Sequence, residues 1–305
     1  MVDIVVIGHI LNEKIIFPDR EIYPVLGSPV AYSSVCMASL GTKVGIATKI
    51  GKDFPKSLFK TFDEVGVNKE GVTVGLNSTN NELIYDKYGN KTLKFLKKAE
   101  NIYFSDIPQA YFNARIFCIS PMDYEIDLDT IKAISKTGKI LAADIGGYGG
   151  GTSDTHPEVK NGYEIEEICQ FIDIIKGSIE DFRHILNPEL GDEREIAKRI
   201  INWGAKISLI TLGERGSYLK TEKDEVYIPP YPTNLIIDRT GAGDCFLAGF
   251  LTKFLISNEP YISSIYGTAA TSYVIERTGG VTVERMPDLK ELDKRATIMK
   301  SLTNC

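Results

Sequence analysis

Alternation of strand-like and helix-like segments is the feature that most restricts the fold of this chain. Short runs rich in β-branched residues have the composition of buried strands, and stretches with apolar residues at helical spacing separate them. The predicted strands are 3–8, 44–50, 115–120, 140–145, 172–175, 206–212 and 235–238. The predicted helices are 27–40, 56–65, 192–203, 243–255, 260–276 and 288–302. This order predicts βαβ units, and therefore an α/β fold with a parallel sheet covered by helices on both faces.

Two segments depart from the alternation. Residues 81–97 (NELIYDKYGNKTLKFLK) alternate with period two on both sides of a Tyr-Gly-Asn tip at 88–90, which is typical of a β-hairpin. A second β candidate covers 14–17 and 21–25. We expect one domain over 1–305 with lid strands inserted at about 12–26 and 72–100. A small sheet of this kind serves as a lid or as the interface of a homodimer.

Charge and cysteine content exclude several classes of protein. The 35 basic and 41 acidic residues give 35 − 41 = −6, without a long block of like charges, so we expect neither nucleic-acid nor membrane binding. The five cysteines are scattered and lack a CxxC pair, and the three histidines are far apart. This pattern predicts reduced thiols, a cytoplasmic protein and no zinc site. No apolar stretch is long enough to cross a membrane.

Residues 235–250 (LIIDRTGAGDCFLAGF) carry the clearest chemical signal. Gly241 and Gly243 bracket a tight turn between a predicted strand and an apolar helix, and glycine lets the backbone approach a ligand closely. The amides of Ala242, Gly243 and Asp244 are expected to lie unpaired at the helix N-terminus. Such a turn holds an anion, and a phosphoryl group in transfer is the anion that most needs it.

Asp244 falls in the first turn of that helix, beside the expected phosphoryl group. A carboxylate there can accept the proton of an attacking alcohol as the O–P bond forms, as an aspartate does in protein kinases. A structural alternative also fits: Thr240 caps the helix, Gly241 makes the turn and Asp244 complements the helix dipole. Arg239, next to the turn, either neutralises phosphate charge or pairs with a surface carboxylate.

The same segment resembles the second signature of the ribokinase-like (PfkB) carbohydrate and nucleoside kinases, whose core is D-x-T-G-A-G-D. The matching residues are Asp238, Thr240, Gly241, Ala242, Gly243 and Asp244. Other segments follow the family order: 6–9 (VIGH) resembles its first strand, 210–217 (ITLGERGS) its nucleotide-side turn, and Gly279-Gly280 its adenine-side loop. The resemblance covers nearly the whole chain. It implies a Rossmann-like α/β/α domain with a β lid that transfers the γ-phosphoryl group of ATP to a hydroxyl with Mg²⁺, the glycine turn being the anion hole and Asp244 the base.

The acceptor site implied by the resemblance falls where this chain departs from the family pattern. The early Gly-Gly pair reads Gly27 and Ser28, and Tyr32 replaces an asparagine. Tyr32 either closes over the acceptor or packs against the lid. The aspartate that binds acceptor hydroxyls falls on Glu13, with Asn12 beside it. These two residues either recognise hydroxyls at the end of the first strand or form a solvated turn.

A glycine-rich segment follows a predicted strand at 146–151 (GGYGGG). It is either a flexible surface loop or part of the active site, where ligands of α/β proteins bind. Asp144, at the end of that strand, is costly to bury without a partner, which favours a site role. The run 144–148 (DIGGY) is similar to D-x-Q-G-[FY] of the inositol-kinase-like branch, although Gly150 stands where that branch carries an arginine.

The donor and metal sites follow from the same resemblance. The family motif N-x-x-E, linked to Mg²⁺ and phosphate, appears at 178–181 (SIED), so Asp181 or Glu180 is expected to hold the hydration shell of a Mg²⁺ that ATP oxygens bind. A monovalent cation near the turn at 238–244 is also consistent with the family. The residues assigned to ATP are Ser178, Thr211, Gly213, Gly216, Thr240, Gly241 and Gly243.

We therefore expect an ATP-dependent kinase that acts on a hydroxyl of a small sugar or polyol. Two alternatives stay open: a nucleoside kinase of the same fold, and a non-catalytic ligand-binding protein on the kinase fold. The changed positions Gly27-Ser28 and 178–181 motivate the second alternative, whereas the intact turn at Asp244 favours catalysis. The expected partners are the small-molecule substrate and, through the lid, a second copy of the chain.

Overall fold

The structure is a computed structural model of the chain and describes residues 1–87, 91–150, 165–186 and 191–303. Its strands are β1 (Ile4–Ile7), β2 (Leu11–Ile16), β3 (Glu21–Gly27), β4 (Val44–Gly51), β5 (Asn68–Gly75), β6 (Thr79–Tyr85), β7 (Lys91–Lys97), β8 (Ile116–Ile119), β9 (Ile140–Asp144), β10 (Ile174–Ser178), β11 (Ile207–Thr211), β12 (Ser217–Thr221) and β13 (Glu225–Ile228). Its α-helices are α1 (Pro29–Ser39), α2 (Phe59–Val65), α3 (Leu128–Ser135), α4 (Ile165–Cys169), α5 (Ile179–Leu186), α6 (Glu193–Asn202), α7 (Ala242–Ser257), α8 (Pro260–Ile275) and α9 (Leu289–Thr303).

A large sheet has the strand order β13-β12-β11-β10-β9-β8-β1-β4-β5. Neighbours from β11 through to β5 run parallel, as the alternation predicts. At the other edge β12 and β13 are antiparallel, which the sequence pattern did not indicate. They form a hairpin against β11, and a hairpin needs no crossover helix.

Helices cover both faces of this sheet and divide the core into two apolar clusters. Successive side chains of a strand point to opposite faces, and β1 shows the consequence. Ile4 and Val6 pack in the cluster that contains residues of α1, α7, α8 and α9. Val5 and Ile7 pack in the cluster that contains residues of α3, α5 and α6. All four side chains are fully buried, which explains the continuous apolar run at the start of the chain.

The parallel strands bring polar residues together at one edge of the sheet. Because parallel strands point the same way, the residues at their carboxyl ends share an edge, where ligands of α/β proteins bind. His9 follows β1, Ser120 follows β8, and Asp144, Ser178 and Thr211 are the last residues of β9, β10 and β11. The strands that were predicted separately therefore converge on one region.

A second sheet, the lid, has the order β3-β2-β6-β7. Its strands lie within 11–27 and 79–97, whereas residues 72–75 of the expected second insertion belong to β5 in the large sheet. Ile15, Val25 and Leu83 form a small apolar cluster on the lid. The predicted hairpin tip at 88–90 lies outside the described residues, as do Gly151 and the polar stretch after it.

One predicted strand is wrong and another is displaced. Residues 235–238 form no strand: the amides of Ile237 and Asp238 donate to the Ile275 carbonyl at the end of α8, and the side chain of Ile237 is 54% exposed. The run is apolar but finds no neighbouring strand. β10 starts at Ile174 rather than 172 and ends at Ser178 rather than 175, because it pairs with β9 over 174–176 and with β11 over 174–178. No helix within the described ranges is long and apolar enough to span a bilayer.

Candidate active site

The turn before α7 adopts the tight conformation that its glycines suggest. Gly241 has φ +79° and precedes the first residue of the helix. A Cβ atom on Gly241 would lie 2.3 Å from Cδ1 of Tyr32, and one on Gly243 would lie 2.4 Å from Nζ of Lys176. Both distances are shorter than normal Cβ contacts, so a side chain at Gly241 would displace the buried Tyr32 ring and one at Gly243 would displace the Lys176 ammonium. The positive φ of Gly241 adds a second reason for glycine at that position.

One amide of the expected anion hole is already occupied. The Ala242 amide donates to the Arg239 carbonyl at 3.1 Å, since the chain closes a turn there before the helix begins. This corrects the expectation that the Ala242 amide lies unpaired. Gly241 and Gly243 each line a cavity. Because amides at the start of a helix have no acceptor inside the helix, the amides of these two glycines are the candidates for an anion hole.

A cavity of about 210 Å³ lies between the lid and the carboxyl edge of the large sheet, and we call it the acceptor cavity. Asp244 lines it from the first turn of α7 and is partly buried. The predicted site residues that line it are Glu13, Ser28, Tyr32, Asp144, Asp181, Thr240, Gly241 and Asp244. Residues far apart in the sequence therefore surround one small volume beside the proposed base.

Asn12 and Gly27, both predicted to contact the acceptor, do not line this cavity. Asn12 and Glu13 are adjacent in β2, so their side chains point to opposite faces and only one can face the acceptor. Asn12 Nδ2 donates to the Tyr23 hydroxyl at 3.0 Å instead. A Cβ atom on Gly27 would lie 3.0 Å from Glu13 Oε2, so Gly27 leaves space for the Glu13 carboxylate.

Ser28 and Tyr32 border the cavity and also organise α1. The Ser28 hydroxyl accepts a hydrogen bond from the Ala31 amide at 3.0 Å and caps the helix. Tyr32 is 2% exposed, and its hydroxyl accepts from Nη1 of Arg285 at 2.7 Å. Its ring packs under Gly241, so Tyr32 supports the turn as well as lining the acceptor cavity.

Lys176 is a site residue that the sequence did not reveal. Its side chain lines the acceptor cavity, and Nζ donates to Asp144 Oδ2 at 2.6 Å. Burial alone lowers the pKa of Lys176, but the carboxylates of Asp144, Asp244 and Asp181 outweigh burial and raise that pKa above its usual value. The lysine is therefore cationic, and it lies directly below Gly243.

Asn81 is a second residue that was missed. It stands at the start of β6, opposite Glu13 in the parallel pair of lid strands, and lines the acceptor cavity. The side chain is 2% exposed, and Oδ1 has no hydrogen-bond partner among the described residues. A buried amide oxygen without a partner is costly unless a ligand donates to it.

A larger cavity of about 750 Å³ lies on the other side of the α7 N-terminus, and we call it the donor cavity. The predicted residues that line it are Ser178, Glu180, Thr211, Gly213, Gly216, Ala242 and Gly243. Thr240 and Gly241, assigned to ATP from the sequence, line the acceptor cavity instead, because they precede the helix on its lid side. Arg239 pairs with Glu214, a surface carboxylate, on the wall of the donor cavity.

Gly279 and Gly280 do not line the donor cavity, contrary to the expected adenine-side loop. The segment turns toward the lid instead: a Cβ atom on Gly280 would lie 2.2 Å from Val25 Cγ1, and the next amide, of Val281, donates to the Leu26 carbonyl. The apolar wall of the donor cavity comes from other residues, among them Tyr231, Pro232, Ile236, Phe246 and Ile275.

Carboxylates flank the boundary between the two cavities. Asp181 lines the acceptor cavity and Glu180 the donor cavity. Asp181 Oδ2 accepts hydrogen bonds from the Ser178 amide and hydroxyl, and the Ser178 hydroxyl accepts from the Asp181 amide, so the two residues cap α5 reciprocally. No cluster of three or more metal-binding side chains occurs in the ranges that the structure covers.

Comparison with known proteins agrees with this geometry. The model of the pfkB family of carbohydrate kinases matches residues 31–286. A cytidine kinase of Thermococcus kodakarensis is 30% identical over 260 residues, which are 83% of this chain and 89% of that protein. Arabidopsis thaliana ribokinase, solved with ribose and ATP, superposes with a TM-score of 0.79 at 20% identity, covering 97% of this chain and 99% of that one.

A further solved structure with the same fold is that of an E. coli protein in complex with ATP and Mg²⁺. It superposes with a TM-score of 0.77 at 18% identity and covers 98% of this chain and 100% of that one. These comparisons confirm the resemblance and the ribokinase-like α/β fold inferred from the sequence. The chain belongs to the pfkB family of carbohydrate kinases and is a phosphotransferase.

Proposed function

We propose that the protein transfers the γ-phosphoryl group of ATP to a hydroxyl of a small sugar or polyol, with Asp244 as the general base. The observation that carries the proposal is the position of the first turn of α7 between two cavities. Asp244 lines the acceptor cavity, whereas the preceding residue, Gly243, lines the donor cavity. An acceptor hydroxyl and a donor phosphate would therefore meet at this turn.

The chemical step is a direct displacement. The acceptor oxygen attacks the γ-phosphorus, the bond from that phosphorus to the β,γ-bridging oxygen breaks, and ADP leaves. The Asp244 carboxylate takes the hydroxyl proton as the new bond forms. The amides of Gly241 and Gly243 and the Lys176 ammonium below them stabilise the charge on the phosphoryl oxygens. The lid excludes water, which otherwise competes with the acceptor.

Acceptor recognition is assigned to polar groups that face the acceptor cavity. Glu13 and Asn81 approach from the lid and Asp144 from the large sheet, which suits a ligand with hydroxyls on several sides. A volume of about 210 Å³ suits a small molecule, and it lies below the usual range of drug-sized pockets. A nucleoside is the second candidate, because a relative 30% identical to this chain is a cytidine kinase.

ATP and Mg²⁺ fit the residues around the donor cavity. A volume of about 750 Å³ with apolar walls has the size of a nucleotide pocket. Mg²⁺ is commonly bound through one or two carboxylates and substrate phosphates, and Asp181 and Glu180 stand on either side of the boundary where those phosphates would lie. When bound, the ion neutralises charge on the phosphate oxygens. Asp181 and Glu180 would hold its water shell.

Release of ADP, measured with panels of sugars, polyols and nucleosides, tests the proposal. We expect turnover with an acceptor from the sugar or polyol panel and loss of about 10² to 10⁴ in kcat for Asp244→Asn, with ATP affinity retained. Asp129→Asn is the control: it makes the same substitution at an exposed aspartate on α3 and should leave turnover unchanged. Near-normal turnover of Asp244→Asn contradicts the base. Ligand binding without turnover by the unmodified protein would favour the non-catalytic alternative.

We also propose that the lid joins two copies of the chain and that the protein works in a reducing compartment such as the cytoplasm. Ile22 and Tyr23 on β3 and Leu96 on β7 are exposed on edge strands of the lid, where a second copy would cover them. Cys36, Cys118, Cys169 and Cys245 are buried and free of disulfides. Light scattering in solution checks the dimer, and a monomer mass would contradict it.

A further inference from the structure

A buried arginine stands directly behind the anion-hole turn. The side chain of Arg285 is 1% exposed, and a guanidinium carries five N–H donors in a fixed fork. Each donor has an oxygen to bond. The acceptors are the carbonyl oxygens of Val274 at 3.4 Å, Gly280 at 3.1 Å, Asp238 at 3.2 Å and Thr240 at 2.8 Å, and the Tyr32 hydroxyl at 2.7 Å.

The oxygens around Arg285 form a ring that requires a positive charge at its centre. Four of the hydrogen-bonded oxygens are main-chain carbonyls, and the Asp238 carboxylate adds a full negative charge with Oδ2 at 3.3 Å from Nη2. Buried oxygens with partial or full negative charge repel one another unless a cation or several donors lie between them. Arg285 supplies the cation and the donors together.

One peptide unit belongs both to the ring of oxygens around Arg285 and to the anion hole. The Thr240 carbonyl and the Gly241 amide belong to one trans peptide unit, in which C=O and N–H point in opposite directions. When Arg285 holds the Thr240 oxygen, it therefore directs the Gly241 N–H away from itself. Arg285 also holds the hydroxyl of Tyr32, whose ring packs against Gly241. One side chain thus fixes the turn from two sides.

We infer that the guanidinium of Arg285 replaces the free monovalent cation that the family resemblance allows at this turn, so that catalysis needs no such ion. A monovalent cation bound at 238–244 would take its ligands from the carbonyls that Arg285 already uses, so the residues present do not fit an additional ion. Arg285 is a positioning residue, since it acts on phosphoryl transfer through the Gly241 amide. The inference rests on the proposed function.

The unmodified protein provides the first test. After removal of alkali ions, ADP release and the midpoint of thermal unfolding are measured in choline chloride and in KCl. At matched ionic strength we expect both quantities to agree, turnover within about twofold, because the two salts screen charges equally. An increase of about tenfold or more in turnover with K⁺, or a rise in the unfolding midpoint specific to K⁺, overturns the inference.

Arg285→Ala provides the second test, with Arg199→Ala as the matched change on the exposed side of α6. Removal of the guanidinium leaves the oxygen ring without a cation. We expect turnover to fall by about 10² to 10³ in choline chloride, the usual range for a lost oxyanion donor, and to recover in part in KCl. The unfolding midpoint of Arg285→Ala should also rise in KCl, whereas that of Arg199→Ala should not.

The two readouts separate this inference from the proposed function. If the unmodified protein phosphorylates no acceptor in either salt, the proposed function fails, and the unfolding midpoints still decide the role of Arg285. A folded Arg285→Ala variant with unchanged turnover in choline chloride, or with no response to K⁺ in either quantity, overturns the inference. If that variant does not fold, turnover and the unfolding midpoint of the unmodified protein in choline chloride and in KCl decide whether the inference holds.

Discussion

Nζ of Lys176 lies 2.6 Å from Oδ2 of Asp144, and the two residues are paired neighbours on β10 and β9. Both side chains are buried at the edge of the sheet where the acceptor cavity opens. The pair holds a cation below the α7 turn and fixes Asp144 at the wall of the cavity. Because each charge is buried, neither is tolerated well without the other.

Lys176→Met should therefore affect stability and turnover by different mechanisms. Removal of the ammonium leaves Asp144 as a buried charge without its partner, and we expect a loss of about 3 to 5 kcal/mol in the free energy of unfolding, measured with urea. The double variant Lys176→Met/Asp144→Leu should recover most of that stability but not turnover, because it lacks both the cation below Gly243 and the Asp144 carboxylate that faces the acceptor cavity. Recovery of turnover in the double variant would show that the pair is only structural.

Gly241→Ala should abolish turnover through a steric contact rather than through backbone strain alone. A Cβ atom there meets the Tyr32 ring at 2.3 Å, so either the ring or the anion hole must move. Gly138→Ala is the matched control, because Gly138 also has a positive φ, +69°, but open space around the added carbon. We expect each variant to lose about 1 to 2 kcal/mol in unfolding free energy from strain, and only Gly241→Ala to lose ADP release. Normal turnover of Gly241→Ala would contradict the anion hole.

The elements that sequence predicted well are those determined by local pattern. The buried run at β1 and the glycine turn at Gly241 each follow from neighbouring residues, through β-branched composition in one case and positive φ in the other. The residues that were missed act over long distances in the chain. Lys176 lies one residue beyond the predicted end of its strand. Its role depends on the hydrogen bond with Asp144 on another strand, and the local sequence does not show that contact. Arg285 contacts Tyr32 across 253 residues.

Two wrong expectations share the same cause. Whether Asn12 or Glu13 faces the acceptor depends on which face of β2 packs toward the large sheet, and a one-residue shift in register exchanges the two. Residues 235–238 have the composition of a strand, but a strand also needs an unpaired neighbour, and the Ile275 carbonyl takes their amides instead. Local composition predicts that a segment can form a strand, whereas tertiary contacts decide whether it does.

Leu83→Ala should open the lid side of the acceptor cavity to water. Leu83 is 5% exposed, lines that cavity and joins the apolar cluster of the lid. We expect ATP hydrolysis in the absence of acceptor to rise several-fold relative to phosphoryl transfer, or the KM for the acceptor to rise several-fold. Leu289→Ala is the control, because Leu289 is also 50% exposed but lies on α9, outside the lid. If both variants leave both quantities unchanged, the lid does not exclude water.

Acid should destabilise the fold through His9, which joins the large sheet to the lid. The ring is fully buried, with Nε2 3.0 Å from the Glu100 carbonyl and Nδ1 2.9 Å from the Thr79 hydroxyl at the start of β6. A neutral ring satisfies both contacts. Burial lowers the pKa of His9 below its usual value, although the neighbouring Glu125 carboxylate acts in the opposite direction.

The sign of this effect follows from the direction of the pKa shift. The unfolded chain binds a proton at His9 near its ordinary pKa of about 6.5, while the folded chain resists protonation there. Stability is therefore complete above that pH and decreases as the pH falls below it, by at most about 1.4 kcal/mol per pH unit. The pKa of Glu125 is also lowered, and this shift reduces stability only below about pH 4.5, the ordinary pKa of a glutamate.

Measurements between pH 6.5 and 5 therefore isolate the effect of His9 on stability. We expect the unfolding free energy, measured with urea, to change less steeply with pH in His9→Gln than in the unmodified protein. His184→Gln, a change at an exposed histidine, is the control and should keep the pH dependence of the unmodified protein. Equal slopes for all three proteins would mean that His9 does not control the acid sensitivity of the fold.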